Sequence, residues 1–92
     1  MRIIGNIDHP ELKITIFKND NRISVKLESG LYEQTYKFRD GEGIENAEDV
    51  EKLLDAAFLD RVQEILRNMH QLKMNALSSQ SADSSESFEE II

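Results

Sequence analysis

The sequence lacks several features on which whole classes of protein depend. It contains no cysteine, which excludes disulfide bonds and cysteine-ligated zinc. Its longest apolar run covers only residues 56–59, far short of the roughly 18 residues that a membrane span needs. The amino end has too short an apolar stretch for a signal peptide. We therefore expect a soluble, cytoplasmic protein that has no membrane partner.

Length and charge further limit the class of protein to which this chain can belong. The chain has 92 residues, 39% of them hydrophobic and 32% charged, which suits one small globular domain. The net charge of -7 is unevenly spread: residues 40–60 hold eight acidic side chains and one lysine, whereas residues 1–39 hold seven basic and five acidic ones. An acidic chain attracts nucleic-acid phosphates poorly, but the basic first part keeps that option open.

Three segments alternate apolar and polar residues with the period of a β-strand. They are residues 12–17, 23–27 and 32–38. The short connections between them predict an antiparallel meander. Residues 2–7 are either a fourth strand or an irregular segment, because Gly5 weakens a strand interior.

Two-residue loops at Asn19–Asp20 and Ser29–Gly30 would connect these strands, because such residues tolerate the backbone of tight turns. The resulting pairs include Ile16 with Ile23 and Leu27 with Tyr32. Both hairpins then place their apolar side chains on one face, and this agreement supports the meander. Gln34 is the one polar residue on that face, where it should find a backbone hydrogen-bond partner.

One long helix is predicted after the loop at residues 40–43. Asn46 is a good N-cap, and apolar residues recur at intervals of three and four from Ala47 to Ala76 without an intervening glycine or proline. Such a helix is about 45 Å long, whereas a seven-residue strand covers about 23 Å. The expected fold is α+β, an antiparallel meander of three or four strands followed by one long C-terminal helix packed on one sheet face.

The composition changes at Ser78. Six of the residues from 78 to 92 are serine, and almost none before Phe88 is apolar. We therefore expect residues 1–77 to form a single α+β domain and residues 78–92 to form a disordered, Ser-rich acidic tail. The apolar residues at its tip are Phe88, Ile91 and Ile92. They are either a short peptide that docks in a groove of another protein or the stray apolar residues of a solubilising end.

The second half of the predicted helix has an apolar stripe that nothing else in the chain is left to cover. This stripe consists of Val62, Ile65, Leu66, Met69 and Leu72. Burial is worth about 1.5–3 kcal/mol for each side chain, and a second copy in a two-fold homodimer would provide it. The alternative is a break near Asp60–Arg61 or Asn68 that lets the second half fold back.

The outward face of the predicted sheet, which the helix does not cover, carries basic side chains, hydroxyl groups and one aromatic ring. Its candidate contacts with single-stranded DNA or RNA are Lys13, Phe17, Arg22, Lys26, Lys37 and Arg39. Such residues can follow a phosphate backbone and stack a base, but they also suit an ordinary solvent-facing sheet. If residues 2–7 form a strand, the order of elements over residues 2–77 is similar to that of Whirly-type and PUR-type single-strand nucleic-acid-binding domains, which also associate through their helices. This resemblance implies nucleic-acid binding by order of elements alone.

No constellation of residues indicates catalysis or a metal site. His9 lies in a polar turn, and His70 lies on the helix without a carboxylate at matching spacing, so both are expected at the surface. There is no glycine-rich phosphate motif or activated nucleophile, and we expect no cofactor. The sequence favours a non-enzymatic homodimeric protein-interaction module with an unknown protein partner; the alternative is a single-stranded DNA or RNA binder.

Overall fold

The computed structural model describes residues 1–86 and contains a four-stranded antiparallel sheet followed by two helices. The elements are β1 (Arg2–Ile7), β2 (Lys13–Asn19), β3 (Arg22–Ser29), β4 (Tyr32–Phe38), α1 (Ala47–Leu53) and α2 (Ala56–Glu86). The strands lie side by side in chain order. The predicted α+β fold is confirmed, and residues 2–7 are its fourth strand. The tip residues Phe88, Ile91 and Ile92 lie outside the described part of the chain.

Both hairpin loops lie one residue later than predicted. They are Asp20–Asn21 and Gly30–Leu31. Each begins with a residue of positive φ, 58° at Asp20 and 60° at Gly30, as tight two-residue loops require. Because glycine and aspartate adopt this conformation more readily than most residues, the backbone conformation of the turn decides where each loop lies.

The later loops move the strand pairing by two residues. The pairs that replace the predicted ones are Ile16 with Val25 and Leu27 with Gln34. Side chains alternate between faces with a period of two, so the predicted pairs are wrong but the predicted faces are right. The fully buried residues of the two central strands are Ile14, Ile16, Ile23, Val25 and Leu27.

Gly5 is explained by the packing of α1 on β1. The strand has a bulge between Ile3 and Gly5, and a Cβ atom placed on Gly5 would lie 3.3 Å from the Cβ atom of Ala47. That distance is shorter than a comfortable carbon–carbon contact. Glycine therefore lets the start of α1 approach the strand closely.

The helix predicted from residue 47 to residue 76 is in fact two helices. The backbone leaves helical geometry at Leu54, with φ −85° and ψ 64°. Asp55 then caps α2, because its side chain accepts a hydrogen bond of 2.9 Å from the backbone N–H of Phe58. The observed break lies before both positions that the sequence suggested, Asp60–Arg61 and Asn68, because an aspartate at residue 55 starts a new helix there.

Beyond the cap, α2 is unbroken. It passes through Asp60–Arg61 and Asn68 without interruption, so the described residues do not fold back there. Its 31 residues correspond to about 46 Å, and the protein measures 53 Å in its longest dimension. The helix also continues past residue 77, so it does not end at the predicted domain boundary. The division into residues 1–77 and 78–92 stays a prediction.

The first part of α2 lies along β4. The side-chain amide of Gln34 donates a hydrogen bond of 2.9 Å to the backbone carbonyl of Val62, and the Tyr36 hydroxyl donates one to the Gln34 side-chain oxygen. The ring of Tyr36 also meets the ring of Phe58 edge-on at 5.6 Å. The predicted backbone partner of Gln34 is thus confirmed, and it joins the helix to the strand.

Candidate functional site

The predicted dimer stripe is divided by the structure into a buried part and an accessible part. Val62 and Leu66 are 1% and 6% exposed and belong to the protomer's own core, where α2 packs against β4. Ile65 and Leu72 are 36% and 71% exposed, and Met69 is partly buried against the core. Only Ile65, Met69 and Leu72 can therefore meet a partner.

The accessible residues face past the edge of the sheet. Gln63 lies about 200° around the helix from Ile65, and its amide donates a hydrogen bond to the carboxylate of Glu11 near the start of β2. The flank of α2 that carries Gln63 therefore faces the inner strands. Ile65, and Leu72 two turns later, face the opposite way, over the edge strand β4.

Past the sheet, α2 projects into solvent. Lys73 is the last residue seen against a strand, with its Nζ atom 5.6 Å from the ring centre of Tyr32. Residues 71–79 are all exposed, including Leu72, Met74 and Leu77. Met74 lies on the other side of the helix from Leu72, so the flank that begins at Ile65 continues only through Leu72.

A concavity of about 570 Å³ lies between α2 and the ends of the inner strands. Its lining includes Glu11, Tyr32, Arg67 and His70. The Tyr32 hydroxyl lies 2.9 Å from Nδ1 of His70, and the two rings meet edge-on at 5.6 Å. His70 is exposed, as predicted, but its bond to Tyr32 ties α2 to the beginning of β4. The two residues are 38 positions apart, so no spacing pattern could have paired them.

The predicted nucleic-acid contacts share the outward face of the sheet but form two groups. The first group is a basic concavity of about 320 Å³, lined by Arg22, Ser24, Lys37 and Arg39. No carboxylate is among its lining residues in the described part of the chain. The three cations therefore present a concave surface that suits an anionic group.

The second group is largely neutralised by neighbouring acids. The Nζ atom of Lys26 lies 5.7 Å from the ring centre of Phe17 and 3.6 Å from the carboxylate of Glu28. Lys13 pairs across the ladder with Glu28, which in turn faces Glu33 on β4. Phe17 is half-buried and covered by Lys26, so it offers little ring surface for base stacking.

Residues 1–86 contain no candidate for a metal site or for a membrane-spanning helix. No group of three acidic or histidine side chains there could hold a metal ion. None of the helices has both the length and the apolar character of a membrane span.

No protein-family model matches the chain, and searches of curated proteins and of solved structures also found no match. Its function is therefore inferred from the geometry of its own surfaces.

Proposed function

We propose that this chain is a non-enzymatic homodimeric protein-interaction module whose copies meet through the accessible flank of α2. The observation that carries the proposal is that Ile65 and Leu72 remain exposed on one flank of a helix that extends past its sheet. Apolar side chains that continue along one exposed surface are typical of an interaction site. A two-fold pairing would bury this flank in both copies at once.

The free energy available from this flank alone is modest. The areas still exposed at Ile65 and Leu72 are worth about 3–6 kcal/mol when both copies are counted. A dimer of micromolar affinity needs about 8 kcal/mol net, after the cost of lost rotational and translational freedom. The proposal therefore requires a contact surface in addition to the helix flank.

Sedimentation velocity on the full chain over a concentration series tests the proposal. We expect a monomer–dimer equilibrium, and Leu72→Glu should weaken it about ten-fold or more, because it places a charge against apolar surface. Met74→Glu is the matched control, since it introduces the same charge on the other side of the same exposed segment. A chain that stays strictly monomeric at high micromolar concentration would refute the proposal.

A second candidate function is the binding of single-stranded DNA or RNA on the outward face. It is supported by the basic concavity, which groups Arg22, Lys37 and Arg39 around one space without an acid. Three phosphate contacts predict a slope of about −2 for log affinity against log salt on a single strand. Titration of labelled oligonucleotides with the Arg39→Gln variant, and with Lys52→Gln on α1 as control, tests this function. Absence of binding at low salt would reject it.

A further inference from the structure

We propose that the free edge of β4 pairs with the same edge of a second copy, antiparallel and centred on Thr35. This inference rests on the proposed homodimer and identifies the additional surface that such a dimer requires. The occupant of the edge is therefore a second copy of this chain.

The backbone of β4 is available for such pairing. It is an edge strand, and its hairpin with β3 closes on the pair Ser29–Tyr32. In a two-residue hairpin the closing pair is hydrogen-bonded, and bonded and non-bonded pairs alternate along the ladder. The N–H and C=O groups of Glu33, Thr35 and Lys37 therefore point away from β3. Unpaired groups of this kind are a template for another strand.

The other edge of the sheet lacks this property. β1 has a bulge between Ile3 and Gly5, and bulges disrupt regular pairing and protect an edge. β4, in contrast, pairs with β3 over all seven of its residues without a shift in register. Its regular backbone is therefore the better template.

The side chains of β4 are complementary to themselves in one register. Thr35 is the middle residue of the strand, so a two-fold axis there pairs its full length. This register sets Glu33 opposite Lys37 of the second copy at both ends. It also sets Tyr32 opposite Phe38, and opposite charges and aromatic pairs are both stabilising across strands. If one strand is shifted by two residues along the other, Glu33 or Lys37 lies opposite Thr35 and its charge has no partner. A shift of four residues places Glu33 opposite Glu33, or Lys37 opposite Lys37.

The protomer leaves these two charges unmatched. Glu33 faces Glu28 across the ladder, a like-charge pair that disfavours the sheet, and Glu28 takes Lys26 as its ion-pair partner. Both Glu33 and Lys37 are exposed, and neither takes part in the ion pairs found among residues 1–86. The second copy would give each of them an opposite charge.

Two neighbouring surfaces are continuous with this edge. Lys37 lies in the basic concavity, so Glu33 of the second copy would bring a carboxylate to a space that no carboxylate of residues 1–86 lines. Ile65 and Leu72 face past β4 on the helix side, so the edge and the flank of α2 form one interface. The backbone pairing would add the contact that the flank alone lacks.

Charge reversal on the full chain tests the register. Glu33→Lys and Lys37→Glu each replace two attractive pairs in the dimer by two repulsive ones, and each should weaken self-association about ten-fold. The double variant Glu33→Lys/Lys37→Glu restores both pairs and should self-associate like the wild type. An equimolar mixture of the two single variants should form a heterodimer, because every pair in it is again of opposite charge. Lys52→Glu, which reverses an exposed charge on α1, is the control.

Sedimentation velocity with one labelled partner separates the outcomes. Recovery of association in the mixture and in the double variant supports pairing centred on Thr35, and it cannot arise from a misfolded variant. If the wild type dimerises and Leu72→Glu weakens the dimer while neither charge reversal does, the proposed homodimer stands and the β4 pairing is refuted. If the wild type is a monomer, both proposals are refuted.

Discussion

Leu66 and Leu72 are the same residue type on the same helix, and the sequence assigns both to a dimer interface. The structure separates them: Leu66 is buried in the core between α2 and the sheet, whereas Leu72 is mostly exposed. Leu66→Ala should therefore lower the free energy of unfolding of the protomer itself. Leu72→Ala should leave it nearly unchanged.

The size of the effect follows from burial. Truncation of a buried leucine to alanine costs about 2–5 kcal/mol. A chain of this length has a total stability of about 5–14 kcal/mol at ordinary values per residue, so Leu66→Ala removes a large part of it. Leu72 loses little surface on folding, and its truncation should cost less than about 0.5 kcal/mol.

Urea unfolding followed by circular dichroism, at two protein concentrations that differ at least ten-fold, provides the assay. The loss caused by Leu66→Ala should be the same at both concentrations, because it arises within one protomer. If Leu66→Ala instead left low-concentration unfolding unchanged and abolished association, Leu66 would be an interface residue and the placement of α2 on the sheet would be wrong.

Three further substitutions test individual contacts by thermal or urea unfolding. Asp55→Ala removes the N-cap of α2 and should cost about 1 kcal/mol; unchanged stability would argue against a helix start at this point. Gly5→Val places methyl groups against Ala47 and should lower the melting temperature by more than about 5 °C, and an equal or higher value would contradict the close approach. Tyr32→Phe removes the hydrogen bond to His70 and should cost about 0.5 kcal/mol, with no loss if that bond is absent in solution.

The strand faces could be predicted from sequence because alternation tolerates an error of two residues in register. The loops could not, since Asn19–Asp20 and Asp20–Asn21 have similar composition and differ in which residue adopts positive φ. An error of one residue in the pairing of two strands, in place of the error of two, would have moved every side chain of the strand to the opposite face. The assignment of side chains to the two faces of the sheet is therefore the most reliable part of the prediction.

The helix break and the concavity on the helix side differ in how far they could be predicted from the sequence. Asp55 was a readable signal, because aspartate is a preferred N-cap and its partner Phe58 begins the apolar spacing of α2. The meeting of Tyr32 with His70 had no local signal, since it depends on the direction in which α2 crosses the sheet. The grouping of Arg22, Lys37 and Arg39 could be predicted in part. The alternation of apolar and polar residues along the strands places them on one face, but the concavity that they share depends on the observed strand register.

The length of α2 would give a β4-paired dimer a defined span. Phe58 contacts Tyr36 and Lys73 contacts Tyr32, so the point of α2 that lies level with Thr35 is near residue 61. A two-fold axis at Thr35 would therefore make the two copies of α2 run in opposite directions from that point. Their ends at Glu86 would then lie roughly 75 Å apart. Two helix ends held at such a distance would act as a bivalent spacer, with greater avidity for targets that carry two sites at matching separation.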